Sequence, residues 1–254
     1  MSETVTEVHA WALRAALEEF WQDPQPNRIT GRVPGRIAGS EHDQLVPEGV
    51  SNPYWEIARQ MPTDTIGDPW RKVPSPDPFF LTPDGRYIAD RNTLCGLYSW
   101  SVCSPGDVAW IKERLGGRGI VEPGAGGGYW AWQLAQAGVD VAAYEPKERS
   151  ENHHVDCDPW FPHIQRGNHE AVRQHPDRSL LLCWPTYGDR WAAKALAAYQ
   201  GDQLFYIGEG EGGCTADDEF FSLRGAEWED AGDCPAHVSY SGIHCYLTEY
   251  RRKR

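Results

Sequence analysis

Glu122-Pro123-Gly124-Ala125-Gly126-Gly127-Gly128 stands between the apolar stretch Gly119-Ile120-Val121 and the helix-like run Tyr129-Trp130-Ala131-Trp132-Gln133-Leu134-Ala135-Gln136. A strand, a glycine turn and a helix, in that order, let a ligand approach backbone N–H groups at a helix N-terminus. Dinucleotide-binding folds space these glycines GxGxxG and surround a pyrophosphate with them. Here the spacing is GxGxG, and Glu122 precedes the first glycine by two positions. A carboxylate at that point repels a pyrophosphate and attracts a cationic amino group or a sulfonium.

Outward from this loop the grammar is regular. Upstream, Ser104, Pro105 and Asp107 supply N-cap, N1 and N3 of a helix that Gly116 and Gly117 end. Downstream, strand-like runs at residues 139–146, 179–185 and 202–210 alternate with helical runs at 129–138 and 190–199 and a helix opened by Thr215. Strands alternating with helices predict a parallel sheet covered on both faces. Residues 228–233 and 243–250 are consecutive strand-like runs joined only by a loop, which predicts an antiparallel hairpin at the sheet edge. The expected class is α/β: a Rossmann-like sheet, mostly parallel with an antiparallel C-terminal strand.

The motif E-x-G-x-G-x-G before a helix, followed by a strand ending Ala142-Ala143-Tyr144-Glu145-Pro146, resembles motifs I and II of class I S-adenosylmethionine-dependent methyltransferases. The resemblance covers roughly residues 98–250. More narrowly, Tyr98-Ser99-Trp100, the run from Gly126 to Trp130, residues 180–187 and residues 206–221 resemble a poorly characterised set of methyltransferase-like proteins. That resemblance implies a fold and the cofactor S-adenosyl-L-methionine, but no acceptor. It implies that Gly124, Gly126 and Gly128, with Tyr129 at the start of the helix, surround the methionine part, and that Glu122 holds its amino end. Glu145, 21 residues after Gly124 at a strand C-terminus, is expected to accept from the two ribose hydroxyls, since a carboxylate suits two vicinal donors. Asn168, after Gly167, corresponds to the loop beside the adenine, with Asn where Asp is commoner. Tyr98 and Trp100 precede the capped helix and are expected to close over the cofactor.

In an open parallel sheet the ligand crevice lies at the strand C-termini, so residues 184–189 and 209–214 should face the transferred methyl. Trp184-Pro185-Thr186-Tyr187 is a degenerate relative of the D/N/S-P-P-Y/F loop of amino-group methyltransferases, with Trp at the acceptor position and Thr for the second proline. It keeps a stacking wall and carbonyls without the defining polar side chain, which argues against nucleobase amino methylation. Tyr187, Asp189, Glu209 and His244 are the candidates for proton removal and acceptor contact. Glu209 and Glu211 fall in a glycine-rich stretch expected to be mobile and solvent-reachable. Thr215 and Asp218 read as a helix-capping pair.

The remaining signals mostly exclude. A net charge of -13, carried despite the basic tail Arg251, Arg252, Lys253 and Arg254, opposes a nucleic-acid substrate. The seven cysteines are odd in number with no CxxC, so neither a disulfide framework nor a standard zinc module is expected. Five of the nine histidines fall between His153 and His175, yet no HxxxH spacing places two on one face; no metal is expected, and a solvated or substrate-lining segment is. No apolar run approaches membrane-spanning length, and residues 1–10 carry neither a basic nor an apolar leader region, which together predict a cytoplasmic protein.

Residues 1–97 form an N-terminal extension, and residues 98–254 the cofactor-binding domain. In the extension Thr4 and Glu7 make a capping box for a helix whose face is Leu13, Ala16, Leu17 and Phe20. Residues 24–83 hold 11 of the 19 prolines together with Trp55, Trp70, Phe79 and Phe80, a loop-rich cover for the core or a pocket. The 12 Trp and 11 Tyr favour an apolar or aromatic acceptor. The expected function is methyl transfer to a nucleophile on a small molecule or peptide, in specialised metabolism. The alternatives are a nucleobase amino-methyltransferase and a non-catalytic cofactor-binding scaffold. Oligomeric state stays open.

Overall fold

The computed structural model describes residues 5–26, 31–63, 73–77, 79–81 and 87–254. Thr4, of the expected capping box, and Trp70 lie outside them. Helix α1 (Val5–Gln22) turns Leu13 and Leu17 into the core, with Ala16 and Phe20 packed against it. Among its described residues the proline-rich stretch contains a short helix, α2 (Pro53–Ala58), which Asn52 caps by accepting from the Trp55 N–H, with Pro53 in the first turn. A small hairpin, β1 (Phe79–Leu81) with β2 (Tyr87–Asp90), leads into α3 (Arg91–Leu97).

The regular part opens with α4 (Pro105–Leu115). The capping box between Ser104 and Asp107 is formed in both directions, and Gly116 ends the helix in the left-handed conformation. Then come β3 (Ile120–Pro123), α5 (Tyr129–Gln136), β4 (Val141–Glu145), β5 (Gln165–Arg166), β6 (Ser179–Cys183), α6 (Trp191–Ala198), β7 (Gln203–Gly208), α7 (Asp218–Glu227), β8 (Trp228–Asp233) and β9 (Tyr246–Arg252). They build a seven-stranded sheet in the order β5-β4-β3-β6-β7-β9-β8. β5, β4, β3, β6 and β7 are parallel, and β9 is antiparallel to both its neighbours. The chain winds outward from β3 through β4 to β5 and then returns to the other side of β3 as β6. The sheet therefore reverses direction between β3 and β6, and an open α/β sheet presents its ligand crevice at such a point.

Alternate strand residues separate onto two faces. Ile120, Leu181, Phe205, Ile207 and Leu247 join one core with α1, α2, α4 and α5 residues such as Leu17, Trp55, Ile111 and Leu134. Val121, Leu180, Leu182, Leu204 and Tyr206 join a second with Leu196 of α6 and Phe220 of α7. The N-terminal segment thus covers one face of the sheet. It is bolted there by hydrogen bonds: Asn52 Nδ2 donates to Cys103 O at 2.8 Å, and Gln44 Oε1 accepts from the Gly106 N–H at 2.7 Å.

The expected antiparallel hairpin does lie at the sheet edge, with β9 between β7 and β8. β7 is buried along its whole length and needs neighbours on both sides, whereas β8 carries exposed Glu229 and Asp230 and a bulge before Gly232, which suit an edge. Helix α7 is capped by Asp217, whose side chain accepts from the Phe220 N–H, and not by Thr215. The Thr215 hydroxyl is buried and bonded to Tyr206 and to the backbone of Glu209.

Candidate functional site

At the switch point the glycine turn is held from below and from the side. Gly124 has φ +72°, and a Cβ there would stand 2.9 Å from the Trp191 ring. Gly128, the N-cap of α5, also has φ +72°, and a Cβ would stand 2.7 Å from Ile164 Cδ1. Conformation and space both require glycine at these two positions. The next strand supplies the clamp. Glu145, at the C-terminus of β4, accepts from the Gly126 N–H through Oε2 at 2.9 Å and from the Lys147 N–H through Oε1 at 3.1 Å. Each carboxylate oxygen keeps a lone pair for a further donor.

Above the turn lies a cavity of about 410 Å³. Tyr98, Glu122, Gly124, Gly126, Tyr129, Glu145, Asn168, Trp184, Tyr187 and Asp189 all border it. Glu122 is buried in its wall, and its Oε2 has no hydrogen-bond partner. Burial pushes its carboxyl up to about 8, against a hydrogen bond from the Ala131 backbone and with help from the Glu145 charge. A buried acid with an unsatisfied oxygen beside a cavity marks a place for a cationic donor. The hydroxyl of Tyr98 and the indole nitrogen of Trp130, both in cavity-bordering residues, are likewise buried without partners.

Other expected residues take more specific places. Tyr129 contributes its ring alone, because its hydroxyl donates to Asn52 Oδ1 at 2.8 Å and accepts from the Tyr54 N–H at 3.0 Å. Asn168 Oδ1 caps the 3₁₀ turn His169–Gln174 by accepting from the Glu170 N–H at 2.9 Å. Asp189 Oδ1 accepts from the Trp191 N–H at the start of α6. Tyr187 is 72% exposed at the mouth. Trp184 has φ +47°, a conformation costly for a bulky residue, fixed by its N–H donating to Ile207 O at 2.7 Å. Its ring lies near-parallel to Trp100 with centroids 6.5 Å apart.

Gly128, Glu209 and His244 do not border the cavity. Gly128 sits beneath it at the helix cap. The expected mobility of Glu209 is overturned: the residue is buried, with Oε2 accepting from the Cys214 N–H at 2.6 Å and Oε1 from the His244 N–H at 2.9 Å. It ties the end of β7 to the approach to β9. The His244 side chain is exposed on the outer side of that tie. The histidine-rich segment does reach the cavity, through His154 and His169. Among the described residues no group of three potential metal ligands forms. Cys95, Ser99 and Cys183 also border the cavity and were not singled out by sequence. The helical spacing of Arg91, Cys95 and Tyr98 at i, i+4 and i+7 was the available signal for Cys95.

No family model matches the chain, and no curated protein matches it in sequence. Among solved structures it is similar to Synechocystis PCC 6803 magnesium protoporphyrin IX methyltransferase with bound SAM, at 15% identity and TM-score 0.39, over 57% of this chain and 76% of that one. It is also similar to Burkholderia thailandensis 1,6-didemethyltoxoflavin-N1-methyltransferase with bound 1,6-didemethyltoxoflavin and S-adenosylhomocysteine, at 16% and 0.39, over 59% and 77%. A third is the N-terminal domain of EvdMO1 with SAH bound, at 14% and 0.38, over 74% and 92%. None of these reaches a TM-score of 0.5, so the fold rests on the strand order and register above.

Proposed function

We propose that this chain is a class I S-adenosylmethionine-dependent methyltransferase whose acceptor is a nucleophile on a small molecule or peptide, with specialised metabolism as its setting. The observation that carries the reading is the pair of carboxylates across the glycine turn: Glu122, buried with an unsatisfied oxygen, and Glu145, clamped on the Gly126 N–H with lone pairs to spare. An ammonium suits the first and a ribose diol the second. A pyrophosphate suits neither, which separates this site from a dinucleotide site.

When bound, the cofactor supplies an electrophilic methyl on a sulfonium; transfer breaks that S–C bond, forms a bond from carbon to the acceptor and releases the acceptor's proton. The chain holds the amino end at Glu122, the methionine part at Gly124 and Gly126, the ribose at Glu145 and the adenine beside Asn168, with Tyr98 and Tyr129 as walls. Trp184 and Tyr187 contact the acceptor. Asp189 and His154 both border the cavity and are exposed, which supports them as the groups that take the proton. Glu209 and His244 have no such role, since neither borders the cavity.

The test is to incubate the purified chain and Glu145→Ala with S-adenosylmethionine and a panel of phenol, amine and carboxylate acceptors, following S-adenosylhomocysteine release. Release that depends on an acceptor and is lost in the variant supports the enzyme. Cofactor binding with no release on any acceptor supports a scaffold instead.

A further inference from the structure

Residues 51–54, in the N-terminal extension, lie along one face of α5. The Tyr129 hydroxyl donates to Asn52 Oδ1 at 2.8 Å and accepts from the Tyr54 N–H at 3.0 Å. Further along the helix, Gln133 Nε2 and Gln136 Nε2 donate to Ser51 O at 2.8 and 3.0 Å, and Gln136 Oε1 accepts from the Ser51 N–H at 2.9 Å. Positions 129, 133 and 136 share one helix face, so the contact is continuous.

Asn52 is the centre of this contact, and it is buried. Its Oδ1 also accepts from the Trp55 N–H at 3.0 Å, and its Nδ2 donates to Cys103 O at 2.8 Å. Capping α2 needs only the first of these two bonds. The others join α2 to the first residue of α5 and to the segment that leads into α4. Buried hydrogen bonds are costly to leave half-made, so together they hold one geometry.

That geometry bears on the cavity. Tyr129 borders it and directly follows Gly128, the last glycine of the turn. Glu145 clamps the turn at Gly126, and Asn52 holds its other end through Tyr129. The second tyrosine wall rests on the same segment: the Tyr98 ring stacks on Tyr54 with centroids 5.0 Å apart and planes 13° from parallel. Tyr54 also meets Tyr129 edge-on, at 6.0 Å.

We propose that Asn52 is a positioning residue for the cofactor: acting through the Tyr129 hydroxyl, it sets the tyrosine wall and the helix start against which S-adenosylmethionine lies. The extension is then a working part of the cofactor site and not only a cover for the sheet. The word cofactor rests on the methyltransferase reading, and the experiment separates the two.

The full chain is titrated calorimetrically with S-adenosylhomocysteine, and denaturant unfolding is followed in parallel for each variant. Tyr129→Phe keeps the ring on the cavity and removes only the hydroxyl; it is expected to weaken binding by about fivefold or more, as is Asn52→Ala. Because both act through one hydrogen bond, the double variant binds no more weakly than the weaker single one, although it loses further stability. Asn52→Asp keeps the accepting oxygen and loses the donation to Cys103, so it retains most of the affinity while stability falls. A brace for the fold alone would move stability and leave affinity in place. Unchanged affinity in the folded single variants, or losses that add in the double variant, overturns the proposal. If Asn52→Ala does not fold, Tyr129→Phe decides. Wild-type protein that binds no S-adenosylhomocysteine overturns the methyltransferase reading and the proposal with it, whereas binding that is indifferent to the variants overturns the proposal alone.

Discussion

The Gly126 N–H donates to Glu145 Oε2 at 2.9 Å, joining the turn after β3 to the end of β4. The same carboxylate thus shapes the loop and faces the cavity. Glu145→Ala is expected to weaken S-adenosylmethionine binding by about 1–3 kcal/mol, from the loss of charge-assisted contacts. Glu145→Gln, which keeps one acceptor oxygen, loses less. Calorimetric affinities of the two variants check the order.

The proposed role of Glu122 predicts a pH dependence of cofactor affinity with a definite sign. With its carboxyl pushed up to about 8 by burial, it is largely neutral in the free protein at pH 7. An ammonium needs it ionised, so affinity rises with pH and levels above about 8, by at most about tenfold per unit. Stability of the free protein runs the opposite way. Between about 4.3 and about 8 the folded chain keeps a proton that the unfolded chain has lost, so stability falls as pH rises. Glu122→Gln is expected to flatten the affinity profile and to raise the melting temperature of the free protein at pH 8. A flat wild-type profile contradicts the assignment.

Glu209 is a brace. Its carboxylate accepts two backbone N–H groups from separate segments, at Cys214 and His244. Glu209→Ala should cost about 2 kcal/mol or more of stability by removing two hydrogen bonds to a charged acceptor, while cofactor affinity stays near wild type. Denaturant unfolding alongside calorimetry separates this from a catalytic role, which would spare stability.

The buried pair of His237 and Asp107, Nδ1 to Oδ1 at 3.0 Å, anchors the loop between β8 and β9 to the start of α4. Burial, the largest single effect, lowers His237, but the charge and hydrogen bond of Asp107 together with those of Cys245 outweigh it and the imidazole rises to about 10. The contribution is complete below the unfolded histidine value of about 6.5 and is lost as pH climbs towards about 10. Asp107→Asn is therefore expected to cost about 3–5 kcal/mol near pH 6.5, with a gap to wild type that narrows at pH 9.5. Unfolding curves at the two pH values measure it.

Much of the fold could be read from sequence because each element carried its own signal. Ser104 and Asp107 announced α4, the glycine turn announced the crevice, and Glu145 lay at the distance that puts an acid on the neighbouring strand. What escaped depended on contacts distant in sequence. Nothing local distinguishes a mobile Glu209 from one tied to the residue 35 positions later, and Thr215 resembled a cap until Tyr206 and Glu209 engaged its hydroxyl.

The most direct test of the central claim is calorimetric titration of the purified chain with S-adenosylmethionine and S-adenosylhomocysteine, with NAD as control. The site described here predicts saturable binding of both adenosyl ligands at about micromolar Kd, near -8 kcal/mol, and none of NAD. Binding of NAD, or of neither adenosyl ligand by folded protein, would contradict it.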